Sequence, residues 1–186
     1  MPVLKKMILA LCALAISVPL GAANAQKTNA EVLAEINKNT LVIELSTGGK
    51  VELQLFPKRA PKHVERVKTL VAQKFYDGIV FHRVIPGFMA QTGDPDGNGQ
   101  GGSKLPDLPA EFNEYVFKRG TVGAARTNDP NSANSQFFIC YNNNGCSHLT
   151  GQYTVWGQVL RGMVHIDKVA GPKDKMTKVY LKSNPR

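Results

Sequence analysis

The residues with most chemical potential are concentrated between positions 81 and 94: Phe81-His82-Arg83-Val84-Ile85-Pro86-Gly87-Phe88-Met89-Ala90-Gln91-Thr92-Gly93-Asp94. Arginine supplies a permanently charged, rigid fork of N–H donors, suited to stabilising an electron-rich atom without proton transfer. His82, beside it, suggests acid–base work, because histidine titrates near neutrality. Alternate residues of a strand point to opposite faces, however, so His82 and Arg83 need not share a site. His82 therefore reads as a packed or hydrogen-bonded structural residue. Asp94-Pro95-Asp96-Gly97-Asn98-Gly99 matches the first half of a calcium-binding EF-hand loop. Leu105 stands where the bidentate glutamate is needed, and Pro106 and Pro109 oppose the helix that should follow. Cys140 and Cys146 have no second cysteine pair or neighbouring histidine pair to complete a zinc set. No Gly-x-Ser-x-Gly elbow occurs, and no Ser, His and Asp trio is marked by local context, so a hydrolase has little support. The expected chemistry needs no metal and no cofactor.

Short strands and few helices must position these residues. Leu41 to Leu45 meets the alternating run Val51 to Phe56 across Ser46-Thr47-Gly48-Gly49, which predicts a β-hairpin. Glu52 and Gln54 should face water, and Val51, Leu53 and Leu55 a core. Ala60-Pro61 opens a helix, with Val64, Val67, Leu70 and Val71 at helical spacing. Strand-like runs follow at Ile79 to Val84, Thr121 to Ala125, Gln136 to Tyr141 and Tyr153 to Val159. A brief helix at Met163 to Val169 and a closing strand at Lys178 to Lys182 complete the pattern. Gln26 to Lys38 is a polar lead-in with room for a short helix. Many strands and only two further helices indicate a mainly β domain, a closed antiparallel barrel with helical caps.

The 186 residues suffice for one domain with a proper core but are few for two. Residues 1–25 read as a signal peptide, leaving residues 26–186 as the domain: Lys5 and Lys6 are basic, Met7 to Leu20 is apolar, and Ala23-Asn24-Ala25 offers a cleavage site. The apolar run is too short to span a bilayer comfortably, so no membrane attachment is expected after cleavage. Leu11, preceding Cys12, stands where a lipoprotein signal needs a small residue. Loss of Lys5 and Lys6 lowers the formal charge from +9 to +7. The remaining basic residues are scattered, which favours a solvated basic surface over nucleic-acid binding. In an oxidising compartment Cys140 and Cys146 could form a bridge; a buried free thiol at Cys140 is the alternative.

The segment from Phe81 to Asp94 resembles the signature of the cyclophilins, and Ser135-Gln136-Phe137-Phe138-Ile139 matches their next most distinctive run. The resemblance extends in order over nearly the whole chain after the leader, including the Leu149-Thr150-Gly151 step. It implies a closed eight-stranded antiparallel barrel capped by two helices, and peptidyl-prolyl cis/trans isomerase activity without a cofactor. It implies Arg83 as the central catalytic residue and Gln91 as the neighbour that orients it. Phe88, Met89, Phe138 and Leu149 match the proline pocket, while Ala125, Arg126 and Gln136 match positions that meet the substrate chain. His148 stands where the family often has Trp, and Tyr153 where it often has His. The His148 replacement removes an indole donor and a large ring, so weak binding of cyclosporin is expected. The partners implied are proline-containing, unfolded or flexible polypeptides, and a monomer is the default. A binding module using the same groove as a chaperone, without important turnover, is the alternative; retention of Arg83 and Gln91 favours the enzyme. The short leader, the loop after Arg126 and the lack of an ER-retention signal at Pro185-Arg186 point to the bacterial periplasm, with secretion as the alternative.

Overall fold

Alternation decides the first hairpin. β2 (Lys50–Leu55) buries Val51, Leu53 and Leu55 while Glu52 and Gln54 are half-buried. β1 (Thr40–Leu45) lies between β2 and the last strand, β8 (Met176–Leu181), so its apolar run is buried almost throughout. The turn between β1 and β2 passes through Gly48 and Gly49 at φ of 89° and 87°, where a side chain would be strained. At Gly49 a Cβ would also meet the His165 ring. The structure, a computed structural model, describes residues 27–186, so the expected leader lies outside the described residues.

The lead-in contains a helix, α1 (Asn29–Lys38), opened by a capping box between Thr28 and Glu31. α2 (Pro61–Ala72) begins at Pro61 and buries His63, Val64, Val67, Leu70 and Val71. Each fully buried Val or Leu contributes roughly 1.5–3 kcal/mol of apolar burial before entropy is counted. Ala60 provides no side-chain cap to this helix. Glu111, distant in sequence, accepts from the backbone N–H groups of Lys62 and His63, each at 3.0 Å.

The remaining strands are β3 (Arg83–Ile85), β4 (Met89–Thr92), β5 (Thr121–Ala124), β6 (Phe137–Cys140) and β7 (Val155–Arg161). α3 (Met163–Ile166) is a single turn, shorter than the expected Met163 to Val169. β4 was not anticipated, because Met-Ala-Gln-Thr has neither alternation nor strong β-branching. It forms because Pro86 and Gly87, with Gly87 at φ 72° and Phe88 N–H bonded to Ile85 O at 3.0 Å, reverse the chain.

All eight strands form one antiparallel sheet in the order β3-β4-β6-β5-β7-β2-β1-β8. It is an open, strongly curled half-barrel, which corrects the expected closed barrel. The edge strands β3 and β8 form no ladder with one another. Instead the chain just before β3 meets the chain just before β8 at one bridge, Val80 with Lys175. Phe81 N–H to Asp174 O and Met176 N–H to Ile79 O, both 2.9 Å, flank that bridge. The expected strand from Ile79 to Val84 is thus divided between this bridge and three-residue β3, too short to complete closure.

Alternation along the strands separates two apolar clusters. Ala90, Phe137, Ile139, Val122 and Trp156 join the main core with α2. Met89, Phe138, Cys140 and Val155 form a smaller cluster with Phe117 and Cys146. Cys140 and Cys146 are joined by a disulfide, with Cα atoms 6.1 Å apart.

Candidate active site

The smaller cluster is the floor of the site. One rung runs across the sheet: Arg83 lies opposite Gln91, Gln91 opposite Phe138, Phe138 opposite Gly123, and Gly123 opposite Val155. A neighbouring rung pairs Ile85 with Met89 and Met89 with Cys140. Because residues opposite one another share a face, Arg83, Gln91 and Phe138 point the same way although β3, β4 and β6 are distant in sequence. Gly123 was missed as a site-shaping residue. A Cβ there would lie 2.5 Å from the Phe138 ring and 2.9 Å from Phe117. Its signal was a glycine inside a strand, which marks a close approach.

A cavity of about 280 Å³ lies over this floor, lined by Arg83, Phe88, Met89, Gln91, Ala125, Arg126, Phe138, His148, Leu149 and Tyr153. Gln136 is the one expected site residue outside that lining. It borders the adjoining cavity and reaches the first through Gln91. Phe138 is fixed by offset stacking on Phe117, with centroids 5.6 Å apart, and by an edge contact from Tyr153 at 5.8 Å. His148 stacks on Phe88 at 5.6 Å. His148 and Leu149 belong to a 3-10 turn, Ser147–Leu149, that begins directly after Cys146. The disulfide therefore anchors the strand carrying Phe138 to the turn carrying two pocket residues.

A chain of hydrogen bonds holds the polar side. Arg83 Nη1 donates to Gln91 Oε1 at 3.2 Å, and Gln91 Nε2 donates to Gln136 Oε1 at 2.9 Å. Gln136 Nε2 in turn donates to the carbonyls of Gly99 and Gly101, at 3.1 and 2.8 Å. The loop bearing those carbonyls is organised by buried Asp94, which accepts from the backbone of Asp96, Asn98 and Gly99. Burial alone would push the Asp94 carboxyl up, but the N–H groups of Asp96, Gly99, Gly101 and Asn98 outweigh it and hold it below the usual carboxylate range. The calcium-like motif thus serves as a loop brace. His82 does not line the cavity; it packs beside Gly99, and burial lowers its pKa although Asp94 opposes the shift.

An apolar floor under a fixed guanidinium suits a neutral, partly apolar ligand that gains electron density at one atom. The model of the family described as "Cyclophilin type peptidyl-prolyl cis-trans isomerase/CLD" matches residues 40–184. The chain belongs to the cyclophilin-type peptidyl-prolyl cis-trans isomerases. This cyclophilin is 52% identical over 143 residues to a probable peptidyl-prolyl cis-trans isomerase of Brucella suis, covering 71% of each chain. It is 43% identical over 125 residues to peptidyl-prolyl cis-trans isomerase-like 3 of Gallus gallus, covering 65% of this cyclophilin and 76% of the relative. Among solved structures it resembles a Cryptosporidium parvum cyclophilin crystallised in the presence of the dipeptide Ala-Pro. That match has a TM-score of 0.70 at 28% identity and covers 78% of this chain and 99% of the other. A cyclophilin from Hirschia baltica matches with a TM-score of 0.68 at 25% identity, covering 87% and 83%. α1 precedes the matched family segment.

Proposed function

We propose that this cyclophilin catalyses X-Pro rotation in exported polypeptides, assisting their folding, with Arg83 as the catalytic donor. Amide resonance sets the barrier, roughly 18–20 kcal/mol, because it is lost as the C–N bond twists. The prolyl nitrogen then becomes pyramidal and regains a lone pair. A donor aimed at that lone pair stabilises the twisted state more than either planar isomer. The carrying observation is the position of Arg83: Gln91 takes one of its donors and fixes the fork above the apolar floor. The other donors remain for the ligand. A proline ring would sit among Phe88, Met89, Phe138 and Leu149, with Gln91 orienting Arg83 and binding substrate backbone beside Ala125, Arg126 and Gln136. His148 and Tyr153 would form the rim. Rotation transfers no proton, so neither His148 nor His82 has an acid–base task.

The test is Arg83→Ala in a proline-limited refolding assay and on short peptides. Loss of one transition-state donor should lower kcat/KM by about 10²–10³-fold. The exposed Arg83 side chain should leave Tm unchanged. Wild-type turnover by the variant would overturn the assignment of Arg83, and absence of turnover in the wild type would favour the binding-module alternative.

Export to the periplasm, with secretion as the alternative, is supported by the basic, apolar and small-residue pattern before Gln26. The Cys140–Cys146 bond adds support, because such bonds persist in oxidising compartments. N-terminal sequencing of the protein from a periplasmic fraction should begin at Gln26.

A further inference from the structure

Arg126 stands on the wall between the cavity beneath Arg83 and a second cavity of about 320 Å³; Gln91 and Ala125 share that wall. Its guanidinium is held in place. Cζ lies 4.3 Å from the Tyr153 ring centroid, Nη1 donates to Thr127 O at 2.8 Å, and Nη2 donates to Gln152 O at 3.1 Å. All these partners are neutral. Among the described residues no carboxylate pairs with Arg126 or with Arg83. No Asp or Glu lines the first cavity, and in the second Asp107 accepts from Asn134 Nδ2 at 2.8 Å. The groove therefore presents two cations without carboxylate partners and, farther along the second cavity, the carboxylate of Asp107; Arg126, only partly exposed, is less screened than a free surface charge.

A bound proline ring places its nitrogen toward Arg83. The acyl group on that nitrogen then leaves past Gln91, one of the three residues common to both cavities, and the preceding residues cross the wall at the other two, Ala125 and Arg126. We propose that Arg126 is a specificity-determining residue that favours Asp or Glu one or two positions before proline and disfavours Lys or Arg there. This rests on the reading that Arg83 engages the prolyl nitrogen. An acidic side chain would pair with the guanidinium of Arg126, which has no carboxylate partner; a basic one would set a like charge beside it.

The test uses peptides that differ only in carrying Glu, Gln or Lys, first one and then two positions before proline. In wild type, kcat/KM for Glu should exceed that for Gln by about three- to tenfold at one of these positions, with Lys lower still. Salt near 1 M, where screening acts within about 3 Å, should compress the ratio. Arg126→Gln should bring the Glu-to-Gln ratio close to one, and Arg126→Lys, which keeps the charge, should retain most of it. The ratio is taken within each variant, so a general change in activity does not disturb it. A wild-type ratio at or below one at both positions, with the Gln peptides turned over, overturns the specificity inference and leaves the isomerase reading standing. The same holds for a ratio that persists in Arg126→Gln or vanishes in Arg126→Lys. If Arg126→Gln fails to fold, the wild-type ratio, its salt dependence and Arg126→Lys still decide. Failure to turn over any of the peptides, under conditions where folded protein is verified, overturns the isomerase reading itself.

Discussion

Arg83 and Gln91 are direct partners in the β3–β4 ladder, and their side chains are joined by the 3.2 Å hydrogen bond from Nη1 to Oε1. Backbone register and side-chain bonding thus specify the same geometry. The rung continues to Phe138, so donor and apolar floor are set by one line across the sheet. A long, flexible arginine is thereby confined with little further entropy to lose on binding.

Gln136 should act as a positioning residue, because it alone ties Gln91 to the carbonyls of Gly99 and Gly101. Gln136→Leu is expected to lower kcat about tenfold with a smaller change in KM. Gln136→Glu, which keeps the acceptor for Gln91 but loses the donor to the loop, should fall between. Steady-state kinetics on one peptide, with Tm as a folding control, check this; equal Tm and unchanged kcat in the leucine variant would refute it.

Stability should fall as pH drops below about 6.5, and buried His63, like His82, contributes to that fall. Burial lowers the His63 pKa from 6.5, a shift that its 2.7 Å contact with Glu111 opposes without cancelling. Below 6.5 the unfolded chain therefore binds more protons than the folded one, and stability decreases as pH falls. Burial would raise the Glu111 pKa, but donors from Lys62 and His63 outweigh it and leave it below 4.5. Stability present above 4.5 is then lost as pH falls through the folded value. Both groups act in the same direction. Urea unfolding between pH 7.5 and 5, comparing wild type with His63→Gln, should show a flatter profile in the variant.

The Cys140–Cys146 bond closes a short loop and should stabilise the fold by about 2 kcal/mol through the unfolded chain. Reductant, or the paired Cys140→Ala and Cys146→Ala substitutions, should lower the urea midpoint. Because the turn bearing His148 and Leu149 starts at Cys146, KM should rise as well. An unchanged midpoint after verified reduction would show that the bond adds no stability.

Cyclosporin should bind weakly, since His148 gives the rim a small ring stacked on Phe88 where relatives often carry Trp. His148→Trp is expected to tighten binding by roughly tenfold or more. Inhibition titrations of both proteins measure it, and nanomolar inhibition of wild type would contradict the expectation.

By itself the sequence determined the local elements whose signals are local. Alternation in Val51–Leu55 and the helical stripe from Val64 to Val71 produced their strand and helix within a residue or two. The resemblance also pointed to site residues from Arg83 to Tyr153, and all of them but Gln136 line one cavity. β4 was not legible: its four residues have little intrinsic strand preference and are ordered by pairing with β3 and β6. Nor was the open edge, since closure depends on how far β3 extends against β8, which no residue of either strand specifies. Only the tertiary structure brought Arg83, Gln91, Phe138 and Gly123 onto one rung, and only there does Glu111 meet the uncapped start of α2. The reason is the same in each case: register between strands and contacts across dozens of residues are settled by packing the whole sheet, whereas period and turn chemistry act within a few residues.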